Sequence, residues 1–212
     1  MTIAKTSART ALILLVFAVA GTALLAYTFD ITRGTIERNE QLAKLELIGQ
    51  ALPSGSYDND IMADTVSLAA DPLLGTDEAT TAYRARRAGQ PAAVVLEAVA
   101  PDGYSGKIKL LIAIRAGGEI SGVRVIRHKE TPGLGDYIEI ARDPWIKHFD
   151  GTSLAGYAEG DWQVKKDGGK FDYMTGATIT PRAVVKAVHK ALQYFAQHRE
   201  QIFATQKQGA AS

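Results

Sequence analysis

The feature that most constrains this sequence is an uncharged apolar run at residues 10–29, close to its N-terminus. A helix needs about 20 such residues to cross the hydrocarbon core of a bilayer. Lys5 and Arg9 precede the run without any acidic residue, whereas acidic and basic residues are mixed just after it. Because basic residues are retained on the cytoplasmic side, this pattern predicts a single-pass anchor at 10–29, with residues 1–9 in the cytoplasm and the remainder outside.

A cleaved signal peptide is the competing interpretation of the same run. Residues 18–20 read AVA, which fits the A-x-A pattern of a cleavage site. Cleavage there would divide a continuous hydrophobic segment and leave residues 21–29 as an apolar stub. We therefore favour the retained anchor, and a buried core helix fits a charge-free terminal run less well still.

The composition removes several functional classes. The chain has no cysteine, which excludes thiol nucleophiles, disulfides and protein-ligated iron–sulfur clusters. Its four histidines are scattered without HxxxH or HExxH spacing, so the sequence predicts no helical metal site. The formal net charge is +1 and there is no block of Lys and Arg, so nucleic-acid binding is not expected.

After the anchor, the apolar pattern changes from a helical period to a strand period. Residues 30–51 carry apolar side chains at helical spacing and are followed by Pro53 and a polar cluster. Beyond them, segments with alternating apolar or β-branched residues are joined by short connections containing glycine or proline. We predict successive strands at 83–88, 93–99, 107–114 and 119–128. Such short connections favour an antiparallel meander.

The second half of the chain predicts mainly loops and one amphipathic helix. A short strand is expected at 162–164, and the final helix from about Pro181 to Phe203. Thr180 before Pro181 is typical of a helix cap and its first turn. Strands followed by helices, without βαβ alternation, predict an α+β fold in which an antiparallel sheet has flanking helices.

These elements suggest domain boundaries beyond the transmembrane helix. We expect residues 30–80 to form a stalk helix and a connecting segment. Residues 81–206 are expected to form the extracytoplasmic domain, and the polar tail at 207–212 to be disordered.

The segment DYMTGAT at residues 172–178 carries the clearest chemical signal. Taken alone, it could be a loop before a helix, where free N–H groups and the helix dipole favour an anion. It resembles the flavinylation motif D-x-x-[S/T]-G-A-T of FMN-binding domains in the Rnf and sodium-pumping quinone reductase complexes. The resemblance implies that a separate flavin transferase, using FAD, attaches FMN to Thr178 through a phosphoester. The other residues of the recognised motif around Thr178 would be Asp172, Thr175, Gly176 and Ala177. Arg182 or Lys186 could add a charge partner for the phosphate.

A second segment, HKETPGLGD at residues 128–136, follows the last predicted strand. Taken alone, it could be a strand-to-helix turn that contains proline and glycine. It closely resembles the strand-exit loop of the G subunit of Rnf complexes and precedes the flavinylation motif in the expected order. The resemblance implies a flavin pocket in which the glycines let backbone amides pack against a planar ring and Leu134 gives apolar contact. The loop residues assigned to that pocket are Glu130, Thr131, Gly133, Leu134 and Gly135.

The resemblance covers roughly residues 5–200 and implies an electron-transfer subunit of an Rnf-type ion-translocating oxidoreductase complex. Covalent FMN would be its redox relay, other subunits its partners, and the bacterial inner membrane its location. Such a subunit would have no turnover of its own. Two alternatives remain, the FMN-carrying subunit of a sodium-pumping quinone reductase and a cofactor-free scaffold. Trp145 and Trp162 could either stack on flavin or belong to the core.

The charges around the apolar run generate a test of topology. A reporter fused after Ser212 should be active only outside the cytoplasm, because Lys5 and Arg9 hold the N-terminus inside. Paired fusions to a reporter that works only after export and to one that works only in the cytoplasm would measure this. A cytoplasmic signal, or a mature N-terminus at Gly21, would contradict the anchor.

Overall fold

The computed structural model describes residues 3–204. The chain forms two compact units that divide between Lys44 and Leu45. The tail at 207–212, for which the sequence predicts disorder, lies outside the described residues.

The first unit is helical. Helix α1 runs from Ile3 to Ala51 without interruption, so the expected anchor and stalk helices are one helix. Its apolar stretch is long and apolar enough to cross a membrane, judged by length and composition, with a mean hydropathy of 2.3. The apolar side chains between residues 12 and 29 are exposed, among them Phe17 at 74%. An apolar surface of this length is unusual on a soluble unit, and a bilayer would cover it.

The second unit is built on a five-stranded antiparallel sheet whose strands follow one another in chain order, β1-β2-β3-β4-β5. This confirms the α+β fold and the predicted meander. The strands are β1 (Thr65–Leu68), β2 (Thr80–Arg87), β3 (Gln90–Ala100), β4 (Ile108–Arg115) and β5 (Ile120–Arg127).

Strand β1 lies in a segment that the sequence assigns to a connection. A stretch of four residues is too short to show a clear alternating pattern. It forms a strand because it pairs with β2. The compact unit thus begins at Leu45 and the sheet at Thr65, whereas the sequence places the start of the domain at residue 81.

Helix α2 runs from Ile179 to Phe203, close to the predicted bounds. The strand predicted at 162–164 is wrong. Short 3-10 helices at Glu159–Asp161 and Lys165–Asp167 flank this segment, and Val164 makes only a single bridge, to Phe171. Trp162 and Val164 are buried in the core, so their apolar character reflects tertiary packing.

Both faces of the sheet are buried: α2 packs against one face, and the end of α1 together with the segment that follows it, up to residue 62, packs against the other. Successive residues of a strand point to opposite faces, so in β4 Leu110 and Ile112 contact the core that contains α2. Leu111 of the same strand belongs to a second cluster, which includes Ile48 and Leu52 at the C-terminal end of α1. The last turn of α1 is therefore a structural part of the second unit.

The C-terminal end of α2 is held by two arginines. The guanidinium of Arg84 donates to the carbonyl of Ala204 at 2.9 Å and, through Nε, to Asp64 at 2.6 Å. Arg86 contacts the same carboxylate at 2.7 Å. Cationic groups at a helix C-terminus satisfy its free carbonyls, so these contacts fix α2 relative to β2.

The contact between α1 and β5 generates a test of stability. A Cβ atom at Gly122 would lie 2.7 Å from the carbonyl oxygen of Ala51 and 2.9 Å from its Cα, so Gly122→Ala must displace the helix end. We expect a loss of about 1–3 kcal/mol, seen as a lower Tm of the full chain in detergent. Gly117→Ala is the matched control, because no atom lies within 4 Å of the added methyl. Equal Tm values for both variants would contradict this packing.

Candidate functional site

The two motif segments meet at one end of the sheet. Strands β3 and β5 both pair antiparallel with β4, so their C-terminal ends lie at the same end of the sheet. The β3–β4 connection therefore lies beside the loop that leaves β5. The N-terminus of α2 lies at this end too. Together these segments line an open pocket formed by Tyr104, Glu130, Thr131, Leu134, Gly135, Gly176, Ala177, Thr178, Ile179 and Thr180.

Most of the residues that the resemblance assigns to a flavin pocket line this one. Gly133, Asp172 and Thr175 belong to the same loops but do not line it. Three lining residues have no place in either motif assignment: Tyr104, Ile179 and Thr180. Tyr104 was not predicted because nothing in the local pattern shows that the β3–β4 connection reaches the other two loops.

Thr178 occupies the N-cap position of α2 with φ −81° and ψ −24°, and its side chain makes no capping hydrogen bond. It is half-buried and lines the pocket. The first N–H groups of a helix have no partners within the helix, so Ile179 and Thr180 present backbone donors beside this hydroxyl. The position combines a hydroxyl that does not cap its helix with an electrostatic environment that favours an anion.

The expected role of Thr180 as the helix cap is wrong. Thr180 lies inside α2 and is 1% exposed. Its hydroxyl donates a short hydrogen bond of 2.5 Å to Oε2 of Glu130, which is 4% exposed. The cap pattern was misread because the acceptor of this hydroxyl is far away in the sequence.

The expected charge partners of a phosphate are already paired with carboxylates. Arg182 binds Asp167 through Nε at 2.5 Å and through Nη2 at 2.6 Å, and this hydrogen bonding lowers the pKa of Asp167. Lys186 contacts Asp102 at 2.6 Å. Both pairs are exposed to solvent, and we assign the anion environment to the backbone donors of α2 instead.

The loop that contains the motif at residues 172–178 is tethered to the aromatic core. The indole nitrogen of Trp145 donates to the backbone oxygen of Asp172 at 2.7 Å. The hydroxyl of Tyr137 donates to the carbonyl of Ala177 at 3.4 Å, and burial raises the pKa of Tyr137 to about 12. Trp145 and Trp162 are each 4% exposed within this core, which decides between the two roles considered for them.

Asp172 does not line the pocket and forms an ion pair with Lys165 at 2.5 Å. His148 lies 3.7 Å from the same carboxylate. These contacts hold the start of the motif at the surface of the domain.

The loop at residues 131–136, which contains Gly133 and Gly135, is closed by its own hydrogen bonds and presents one apolar side chain to the pocket. The amides of Leu134 and Gly135 donate to the carbonyl of Thr131 at 3.1 and 3.0 Å, and that of Gly133 donates to Asp136 at 2.8 Å. Their N–H groups are therefore engaged within the loop. Gly133 has a φ of +77°, a conformation that L side chains rarely adopt. The side chain of Leu134 is 50% exposed at the pocket.

Apolar side chains line the same pocket as the hydroxyl of Thr178. Tyr104 is 68% exposed and Ile179 46% exposed, and both line the pocket together with Leu134. An apolar wall beside a helix N-terminus suits a ligand with a flat, largely apolar ring and an anionic group. FMN has this chemistry, and the residues present fit it.

Comparison with known proteins finds relatives that match most of this chain. The family model of the FMN-binding domain matches residues 103–193, and that of the RnfG N-terminal region matches residues 1–51. The G subunit of the ion-translocating oxidoreductase complex of Pseudomonas aeruginosa is 50% identical over 94% of this chain and 93% of its own length. Proteins of the same name from Vibrio cholerae and Shewanella oneidensis are 47% and 45% identical, over 90% and 91% of this chain and 91% of their own lengths.

This chain belongs to the family of G subunits of ion-translocating oxidoreductase complexes. All the residues that line the pocket lie within the part that matches the FMN-binding domain. The RnfG N-terminal region matches as far as residue 51, where α1 ends. The pocket is therefore the candidate FMN site of this family member.

The hydrogen bond between Thr180 and Glu130 generates a test of stability. Thr180→Val keeps the shape of the side chain but removes one of the two hydrogen-bond donors of a buried carboxylate, at a cost of about 1.5–3 kcal/mol. We expect a lower Tm for this variant of the full chain in detergent. Thr180→Ser keeps the hydroxyl and should lie much closer to the wild type. If both substitutions lower the Tm equally, lost packing explains the effect and the hydrogen bond does not.

Proposed function

We propose that this chain is the electron-transfer subunit of an Rnf-type ion-translocating oxidoreductase complex and that it carries FMN covalently bound to Thr178. Similarity to the G subunits of such complexes, over most of both sequences, supports this role over that of the quinone reductase subunit. The match to an FMN-binding domain supports a flavin carrier over a scaffold without a cofactor.

The observation that carries the covalent attachment is the state of the Thr178 side chain. Its hydroxyl makes no capping hydrogen bond, lines the pocket and lies at the N-terminus of a 25-residue helix. In the attachment, Thr178 Oγ bonds to the phosphorus of the FMN half of FAD. The pyrophosphate bond breaks, AMP leaves, and the hydroxyl proton passes to a base. A separate flavin transferase would supply the catalytic groups.

The residues around Thr178 would hold the cofactor in place. The backbone donors of Ile179 and Thr180 suit the phosphate, and the exposed side chains of Tyr104 and Leu134 suit the apolar ring. Bound FMN supplies one-electron and two-electron redox chemistry, while the protein supplies attachment, orientation and electrostatics. A redox carrier of this kind needs no side-chain acid or base, and no independent turnover is expected.

The N-terminal helix supports a membrane location for this role. We propose that residues 10–29 anchor the chain in the inner membrane, with residues 1–9 in the cytoplasm. The FMN-binding domain, at residues 81–206, would face the periplasm. It would pass electrons between neighbouring subunits of the complex.

The attachment is tested by removing the hydroxyl that must bond to phosphorus. With an active transferase in the same cells, Thr178→Val should lose the covalent FMN and the fluorescent band of the denatured protein. Thr131→Val is the matched control, since it removes another hydroxyl from the lining of the same pocket and leaves Thr178 intact. Peptide mapping that finds FMN on Thr175 or Thr180 in the Thr178→Val variant would contradict the assigned acceptor.

A further inference from the structure

Glu130 is an unusual residue of the pocket because its charge is buried. It is 4% exposed, and within the described part of the chain it is the one acidic side chain among the buried residues. Carboxylates are almost never fully buried without a partner that compensates for the loss of water. The partners of Glu130 therefore reveal what it does.

The carboxylate of Glu130 joins three segments of the chain. Oε2 accepts the hydrogen bond from the hydroxyl of Thr180, in the first turn of α2. Oε1 accepts a hydrogen bond of 3.0 Å from the backbone amide of Ser105, in the β3–β4 connection. Glu130 itself belongs to the loop that leaves β5. These are the three segments that form the walls of the pocket.

The space around this carboxylate is kept free by glycines. A Cβ atom at Gly135 would lie 2.8 Å from Oε2 of Glu130, and one at Gly103 would lie 3.0 Å from Oε1. Larger residues at either position would displace the carboxylate from its two donors. The two glycines thus leave space for the carboxylate, and Ser105 and Thr180 bind it there.

The two donors to this carboxylate are uncharged. A backbone amide and a hydroxyl stabilise a carboxylate, but neither neutralises its charge. Among residues 3–204, no cationic side chain forms an ion pair with Glu130. The carboxylate therefore places a negative charge without a cationic side-chain partner in the lining of the candidate FMN site.

We propose that Glu130 is a positioning residue that fixes the three walls of the pocket and that its charge makes the bound FMN harder to reduce. This inference depends on the proposed function, because it requires FMN in this pocket. Adding an electron increases the negative charge of the cofactor, and a carboxylate in a poorly solvated site opposes that increase more strongly than one in water. Replacing the charge by a neutral group of the same shape therefore favours the reduced cofactor.

The test is a redox titration of the full chain in detergent, purified after coexpression with the flavin transferase. Glu130→Gln keeps the size of the side chain and an oxygen that can accept from Ser105, but it removes the charge. We expect its midpoint potential to shift in the positive direction relative to the wild type. Glu200→Gln is the control, because it removes an exposed carboxylate at the opposite end of α2. Its midpoint potential should equal that of the wild type.

Glu130→Asp separates charge from position. Aspartate keeps the charge but is one methylene shorter, so it cannot reach both Ser105 and Thr180 from the same backbone. We expect a lower Tm and a midpoint potential closer to that of the wild type than to that of Glu130→Gln. If the glutamine variant cannot be recovered with FMN, Glu130→Ala takes its place: a positive shift that the aspartate variant lacks supports the proposal, and equal midpoint potentials in the alanine and aspartate variants overturn it.

The possible failures are distinguishable. A wild-type protein that acquires no FMN from an active transferase would refute the proposed function. A Glu130→Gln protein that carries FMN at the wild-type midpoint potential would overturn the inference and leave the proposed function intact. A positive shift of equal size in Glu130→Gln and Glu130→Asp would also overturn it, because position and not charge would then set the potential.

Discussion

The second unit depends on the burial of both faces of its five-stranded sheet. An antiparallel sheet commonly leaves one face to water, but here α2 covers one face, and the last turn of α1 with the segment that follows it covers the other. Burying this apolar surface is the main favourable contribution to folding, at about 25 cal/mol per Å². The same requirement fixes α2 across the sheet. Its N-terminus, with Thr178, therefore lies at the end of the sheet where the loops after β3 and β5 meet.

The site combines features that a redox carrier needs and that no single segment provides. The hydroxyl of Thr178 and the helix dipole come from the start of α2, and the apolar surface comes from Tyr104, Leu134 and Ile179. Glu130 connects the segments through hydrogen bonds to Thr180 and to the amide of Ser105. The aromatic core beneath the pocket supports the motif loop without taking part in the lining. A rigid frame of this kind can hold a cofactor in one orientation.

The sequence predicts the parts of this structure that depend on local patterns and fails where distant residues decide. Alternating apolar residues located β2 to β5, and the short motifs located two of the three segments that form the pocket, but not the β3–β4 connection with Tyr104. The role of Thr180 was misassigned because its acceptor lies 50 residues away. Arg182 was a plausible phosphate partner until the structure placed Asp167 beside it. In the same way, Trp162 suggested a strand, although its burial comes from packing between elements.

The central claim, that FMN is covalently bound to this chain, is tested most directly by the intact mass of the full-length protein. The chain would be expressed with and without an active flavin transferase, purified in the same way and denatured before measurement, so that bound but unattached cofactor is lost. We predict a gain equal to one FMN less one water molecule in the presence of the transferase and no gain in its absence. An unchanged mass in the presence of the active transferase would contradict the account.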